Sequence, residues 1–223
     1  MDTCDHSNRR NPPSLMTEHT QIRKRRTLIE IAQRHQHPGT GSAPSFLAGR
    51  TTERAWTDLT PILSPILWVV VGAAATRLYM PERTTKVLEV AILVRDAQSA
   101  RQKLTQAGFK YQGESSIGGT TWRAPNGQFI DVIEVREPWW TTALAQAQNN
   151  PDAQGLPILL LPHLVLMKFQ AGRVQDLADI SRMLGQADAH ALDAVRELLR
   201  QYAPTDMADL ESLITLGKME RGS

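Results

Sequence analysis

Trp68-Val69-Val70-Val71-Gly72-Ala73-Ala74-Ala75-Thr76-Arg77-Leu78-Tyr79, followed after a short polar link by Val87-Leu88-Glu89-Val90-Ala91-Ile92-Leu93-Val94, decides the fold of this chain. A β-branched apolar run stops at a glycine, an alanine-rich segment follows, and a second apolar run carries one acid near its start. The pattern predicts strand, tight turn, helix, strand. Gly72 lets the backbone turn sharply and leaves the first N–H groups of the next helix open to an anion such as phosphate. The same turn also serves as plain structure in many α/β units. Along the second strand Glu89, Ala91 and Leu93 share one face, and Val90, Ile92 and Val94 the other. If covered, Glu89 therefore needs water, a counterion or a metal.

Working outward toward the carboxy terminus, Asp96 is placed to cap a helix in which Ala97, Ala100, Leu104 and Ala107 recur at helical spacing, with Gly108 as its stop. From Lys110 to Val135 the period shortens, and Asn126-Gly127 predicts a tight hairpin between two strands. In the second of these, Phe129, Asp131 and Ile133 alternate with Ile130, Val132 and Glu134, so Asp131 projects among apolar neighbours. Trp139 and Trp140 cover a core edge at the head of a helix running through Ala147. Pro162 opens a helix from His163 to Phe169, with His163 as a helix-start or surface residue. The final third is helical, its stripes being Leu177/Ile180/Leu184, Leu192/Val195/Leu198/Leu199/Tyr202 and Met207/Leu210/Leu213/Ile214. Lys218 to Ser223 form a fraying tail.

Working outward the other way, Thr52 to Thr60 predicts a short helix presenting Trp56 and Leu59. Ile22 to Gln36 predicts another with a narrow apolar side at Leu28, Ile31 and Ala32. Pro38-Gly39-Thr40-Gly41-Ser42-Ala43-Pro44-Ser45 is a flexible connector that makes this first helix an arm. Met16 follows an unpatterned leader and is an alternative translational start. Residues 1–36 hold seven Lys or Arg against four Asp or Glu, while the rest holds eighteen against nineteen, so the basic character belongs to the leader. Arg23-Lys24-Arg25-Arg26 lacks aromatic interleaving and reads as a solvated helix face before a phosphate-contacting patch.

The single cysteine, Cys4, excludes an internal disulfide and a four-cysteine zinc site. The six histidines form no His-Glu-x-x-His arrangement, and His35-Gln36-His37 lacks a third ligand. No apolar run approaches the ~20 residues of a membrane span, and a cytoplasmic protein with no membrane partner is expected. The fold class is α/β (α+β): a small mixed sheet with flanking helices and a carboxy-terminal helical subdomain. The expected organisation is an arm over 1–45, an α/β core over 46–160, a helical subdomain over 161–218 and a tail over 219–223.

Several motifs together resemble the nucleotidyltransferase superfamily, above all its small bacterial members related to abortive-infection toxins and antitoxin-like nucleotidyltransferases. That family carries an apolar residue, Gly, then Gly or Ser, a gap, and Asp-apolar-Asp/Glu-apolar. Here Val71-Gly72-Ala73 is followed by Val87-Leu88-Glu89-Val90, Asp131 in Ile130-Asp131-Val132-Ile133 stands where a third carboxylate is expected, and Leu164 to Ile180 resembles the common helical segment with Lys, Ala-x-Arg and Asp-x-x-Asp. The resemblance implies Glu89 and Asp131 as metal-binding and catalytic acids, and Gly72, Ala73 and Lys168 on the nucleotide side. It implies Arg173, Asp176 and Asp179 as site-supporting residues, and Mg2+ or Mn2+ with an NTP as cofactors. Its activity is transfer of NMP from NTP to protein or RNA. A nucleotide, a cognate protein and RNA are the partners it implies, in the setting of a toxin–antitoxin pair.

At the first acid position this chain has Val87, which can neither coordinate Mg2+ nor accept a proton. The resemblance then favours a degenerate, nucleotide- or partner-binding protein, with an active transferase as the alternative should Glu82 or Glu114 replace the missing acid. Judged on the residues alone, Glu89 and Asp131 also fit wet strand ends, and Lys168, Arg173, Asp176 and Asp179 also fit helix-surface ion pairs worth ~0.2–0.5 kcal/mol each.

Overall fold

The structure, a computed structural model, describes residues 15–35, 55–80, 85–115 and 117–221. The expectations for Cys4, for the connector from Pro38 to Ser45 and for Glu82 concern residues outside these. Five strands form one mixed sheet: β1 (Val69–Val70), β2 (Val87–Leu93), β3 (Lys110–Glu114), β4 (Thr120–Arg123) and β5 (Phe129–Val135). Their order across the sheet is β1-β2-β5-β4-β3, with β2 and β5 parallel and every other pair antiparallel.

Sequence dictates this arrangement locally. Gly127 takes φ +87°, and Ala124 N–H donates to Gln128 O at 2.8 Å, closing the β4–β5 hairpin at the predicted Asn-Gly turn. The other parallel neighbour, β2, reaches β5 only through a crossover containing a helix (Ala97–Gln106), as parallel pairing requires. That helix buries Ala97, Ala100 and Leu104, and its Arg101 pairs with Glu134, so it covers the sheet face carrying Leu88, Val90, Ile92, Ile130 and Val132. On the opposite face Ala91, Ile133 and Val135 are buried, whereas Val87, Glu89 and Asp131 are half-buried and Phe129 is exposed. One half of that face is core and the other half is open.

The helices are α1 (Leu15–His35), α2 (Thr60–Leu63), α3 (Gly72–Ala75), α4 (the Ala97–Gln106 helix), α5 (Trp139–Ala147), α6 (Leu161–Ala171), α7 (Val174–Gln186), α8 (Ala189–Tyr202) and α9 (Met207–Arg221). Pro162 lies in the first turn of α6, and Gly172 closes it in the left-handed conformation at φ 63°. The carboxy-terminal stripes are largely core seams: Leu177, Ile180, Leu184, Leu192, Val195, Leu199, Leu210, Leu213 and Ile214 are buried and Leu198 and Met207 partly so, but Tyr202 is exposed, a correction to its stripe. Where α7 meets α9 the backbones touch. A Cβ on Gly217 would lie 1.9 Å from Ser181 O, and one on Gly185 2.3 Å from Gly217 O.

Several sequence expectations are corrected. Residues 55–59 are not helical; the short helix is Thr60–Leu63, because Pro61 fits only a first turn, although Trp56 and Leu59 are buried as predicted. Asp96 sits before α4, but a 3₁₀ turn over Val94–Asp96 gives it φ −95° and ψ −6°, and its side chain makes no capping bond. Among the α1 residues from Ile22 to His35 the buried positions are Arg25 and Ile29, while Ile31 is 48% exposed. Arg25 is no part of a solvated face: its guanidinium pairs with Asp206 and Asp209 and lies 5.2 Å from the Phe169 ring centroid. The first helix is thereby fastened to the carboxy-terminal helices. The end of α9 runs on to Arg221, past the predicted start of fraying at Lys218.

Candidate functional site

Glu89 and Asp131 are cross-strand partners in the parallel β2–β5 pair. Paired residues on neighbouring strands share a face and lie about 5 Å apart at the backbone. Two acids 42 positions apart in sequence thus become neighbours on the open half of the sheet. Asp131 continues the row into β4, where Thr121 is its partner and donates its hydroxyl to Asp131 Oδ1 at 2.5 Å.

Glu89 is held from the other side by the Gly72 turn. Gly72 has φ +61°, a conformation that L side chains rarely adopt, and a Cβ there would fall 1.6 Å from Glu89 Oε2. Ala73 N–H donates to the same Oε2 at 3.2 Å. The N–H group that the turn was expected to offer a phosphate is therefore engaged by an internal carboxylate. Val71 N–H donates to Glu89 O at 2.9 Å, which ties β1 to β2 beside the turn.

Lys168, Arg173, Asp176 and Asp179 meet, but within the helical subdomain. Lys168 is 3% exposed and donates from Nζ to Asp176 Oδ1 at 2.9 Å and Asp179 Oδ2 at 2.8 Å. Arg173, at the start of α7, donates from Nε to Asp176 Oδ2 at 2.6 Å while staying half exposed. Burial opposes ionisation of Asp176, yet the hydrogen bond from Arg173 and the charge and hydrogen bond of Lys168 outweigh it and hold this carboxyl below its usual range. The Arg173 guanidinium is held above its usual range, chiefly by its hydrogen bond to Asp176, with smaller contributions from the charges of Glu89 and Asp179. These are not exposed helix-surface pairs: Lys168, Asp176 and Asp179 are buried together.

Among the described residues, the strand face holds one acid fewer than the set the resemblance implies. Val87 contributes no oxygen, one oxygen of each strand acid already accepts a hydrogen bond, and Arg173 adds positive charge beside Glu89. Glu114 cannot complete the set, because its partner Thr120 pairs with Val132, which places Glu114 on the sheet face opposite Asp131, where Tyr111 Oη donates to it at 2.8 Å. Among the described residues, no group of three or more His, Cys, Asp or Glu is arranged to hold a metal.

His163 starts a helix as expected, but it is not a surface residue. It is buried in the first turn of α6 and stacks on Trp139 at 5.7 Å between ring centroids, and burial lowers its pKa below the ordinary imidazole value. Trp139 in turn stacks on Trp140 at 4.2 Å, both 3% exposed, as the core-edge reading anticipated. Sequence reasoning passed over Thr121, Arg123 and Phe129. Their register, Thr121 against Asp131 and Arg123 against Phe129, follows from a three-residue turn over Pro125, Asn126 and Gly127, one residue longer than a two-residue Asn-Gly hairpin, so counting back from Asn126-Gly127 alone misses it.

No model of a known protein family matches the sequence, and no curated protein does. Among solved structures the chain is similar to the solution structure of the antibiotic-resistance factor ANT(2'')-Ia, with a TM-score of 0.37 and 11% identity over 92% of this chain and 92% of that one. It is also similar to a crystal structure of ANT(2'')-Ia in complex with adenylyl-2''-tobramycin, with a TM-score of 0.35 and 11% identity over 67% of this chain and 87% of that one.

Proposed function

We propose that this chain is a degenerate nucleotidyltransferase-like protein that binds a nucleotide on the open half of its sheet, beside the Gly72 turn, and transfers nucleotidyl groups poorly or not at all. One observation carries the reading: Glu89 and Asp131, matched to the family pattern from separate segments, are cross-strand partners on one face, while Val87 occupies the remaining acid position on the same strand. Lys168, read from sequence as a nucleotide-side residue, is assigned instead to holding α6 against α7. Gly72 and Ala73 position Glu89 and offer phosphate an N–H only if that carboxylate swings away. A cytoplasmic setting and a cognate protein partner, as in a toxin–antitoxin pair, belong to the same reading. Among the described residues no helix is long and apolar enough to cross a membrane.

Calorimetry with ATP, GTP, CTP and UTP tests binding, and α-labelled NTPs with Mg2+ or Mn2+ and a protein and RNA extract test transfer. Binding of at least one nucleotide without robust transfer is the expected outcome. Robust metal-dependent transfer abolished by Glu89→Ala or Asp131→Ala establishes the active alternative and overturns the degenerate one. With a silent wild type, gain of transfer in Val87→Asp identifies the missing ligand as the cause, since a lost contribution of ~1.4 kcal/mol to the transition state slows a reaction tenfold.

A further inference from the structure

Val87 is not an isolated loss. The register of the sheet puts Val87 beside Phe129 and Phe129 beside Arg123, so the three form one cross-strand row over β2, β5 and β4 on the face that carries Glu89, Asp131 and Thr121. Two residues separate the rows along each strand, roughly 7 Å. The Phe129 ring is 41% exposed, Val87 is half-buried beside it and Arg123 is exposed. Among the described residues, no hydrogen bond or ion pair involves the Arg123 guanidinium, whereas Arg25, Arg26, Arg101, Arg173, Arg196 and Arg200 are each paired with a carboxylate.

An exposed ring flanked by a branched aliphatic side chain and an unpaired guanidinium is unsuited to a divalent cation. Val87 and Phe129 offer no oxygen, and Arg123 repels positive charge. The same row suits a flat ring that carries an anion. Phe129 supplies a stacking face, Val87 an apolar floor, and Arg123 donors that pair with a phosphate through charge-assisted hydrogen bonds. Across two strand spacings the row measures about 10 Å, the reach of a base, a ribose and one phosphate. Asp131, with Oδ1 accepting from Thr121, keeps acceptor capacity for an amino group on the ring edge.

We infer that the row Val87–Phe129–Arg123 is a metal-independent subsite for a nucleoside monophosphate, the base stacking on Phe129 and the phosphate held by Arg123. This inference rests on the nucleotide-binding reading above and names how that binding is achieved once the acid at position 87 is gone.

The test is calorimetry of the full chain with AMP, once in EDTA and once with Mg2+, with adenosine and inorganic phosphate as separate probes and ATP with Mg2+ in parallel. AMP affinity is expected to be the same with EDTA as with Mg2+. Phe129→Ala is expected to weaken AMP about tenfold or more, the range that base–aromatic stacking supplies. Phe129→Leu, which keeps an apolar side chain and guards against a folding defect, is expected to weaken it similarly. Arg123→Gln is expected to weaken AMP severalfold while leaving adenosine unchanged, and raised salt is expected to mimic it. A requirement for Mg2+, or AMP affinities in the Phe129 and Arg123 variants equal to wild type, overturns the subsite and leaves nucleotide binding standing if ATP still binds. Absence of binding by AMP and by ATP in every condition overturns both readings.

Discussion

The chain contains two pairs of acids that resemble each other on paper and differ in every physical respect once folded. Asp176 and Asp179 are three residues apart on α7, are buried, and have the Lys168 ammonium between them with Arg173 at the rim. Glu89 and Asp131 lie on neighbouring strands, are half-buried, and are held by a backbone N–H and a hydroxyl, with no cation bonded to either among the described residues. A buried carboxylate whose oxygens face a buried ammonium has nowhere to send its charge and contributes structure. A half-buried pair steadied by neutral donors keeps lone pairs free and remains available to a ligand. The comparison separates supporting acids from candidate site acids more sharply than their spacing in the sequence does.

The contrast is most readily broken at Lys168. Lys168→Met would remove the buried ammonium shared by Asp176 and Asp179 and leave Asp176 with Arg173, and the loss is expected to reach about 3 kcal/mol in denaturant unfolding. A loss under ~1 kcal/mol would place the cluster in a wetter environment than its burial indicates.

Acid titration probes the same cluster at the next level. Because the folded Asp176 carboxyl lies below its ordinary value of 3.8, the stability it contributes is complete above that value and is lost as pH falls through the lower folded one. Stability measured between pH 5 and pH 2 is therefore expected to drop in the wild type, and Asp176→Asn to flatten part of that slope. An unchanged slope would move the acid sensitivity to other carboxylates.

At the strand acids the expected effects on stability are smaller. Gly72→Ala forces an L residue into the left-handed region and drives a methyl into the Glu89 carboxylate, for a combined cost of about 2 kcal/mol. Repeating the substitution in a Glu89→Ala background removes the collision and is expected to leave only the backbone cost, so the double-mutant cycle should report a coupling of about 1 kcal/mol. Additive behaviour would mean that Glu89 does not rest on the turn. Smallest of all, Glu89→Gln and Asp131→Asn are each expected to change stability by ~1 kcal/mol or less, since their partners are neutral donors that an amide oxygen also satisfies. Nucleotide affinity, not unfolding, is the quantity in which these two substitutions are expected to register.

Much of this molecule follows from sequence by itself because the signals are local. The Val-rich runs ending at Gly72, the Asn126-Gly127 turn, Pro162 at the head of α6 and the apolar stripes of α7, α8 and α9 each act within a few residues, where backbone sterics and side-chain period decide the outcome. The fold class and the likeness of the motif spacing to a nucleotidyltransferase pattern came from those signals. Only tertiary structure decided what the residues meet. Arg25 reads as one of four consecutive basic residues until α1 packs on α9 and aims it at Asp206 and Asp209. Lys168 reads as a site cation until α7 brings two acids onto it, and Gly185 and Gly217 carry no pattern until two backbones touch. Glu89, Asp131, Phe129 and Arg123 acquire a shared face only through strand register, which depends on pairing between segments far apart in the chain. No local preference encodes such a contact, because its free energy is gained only when both partners are already in place.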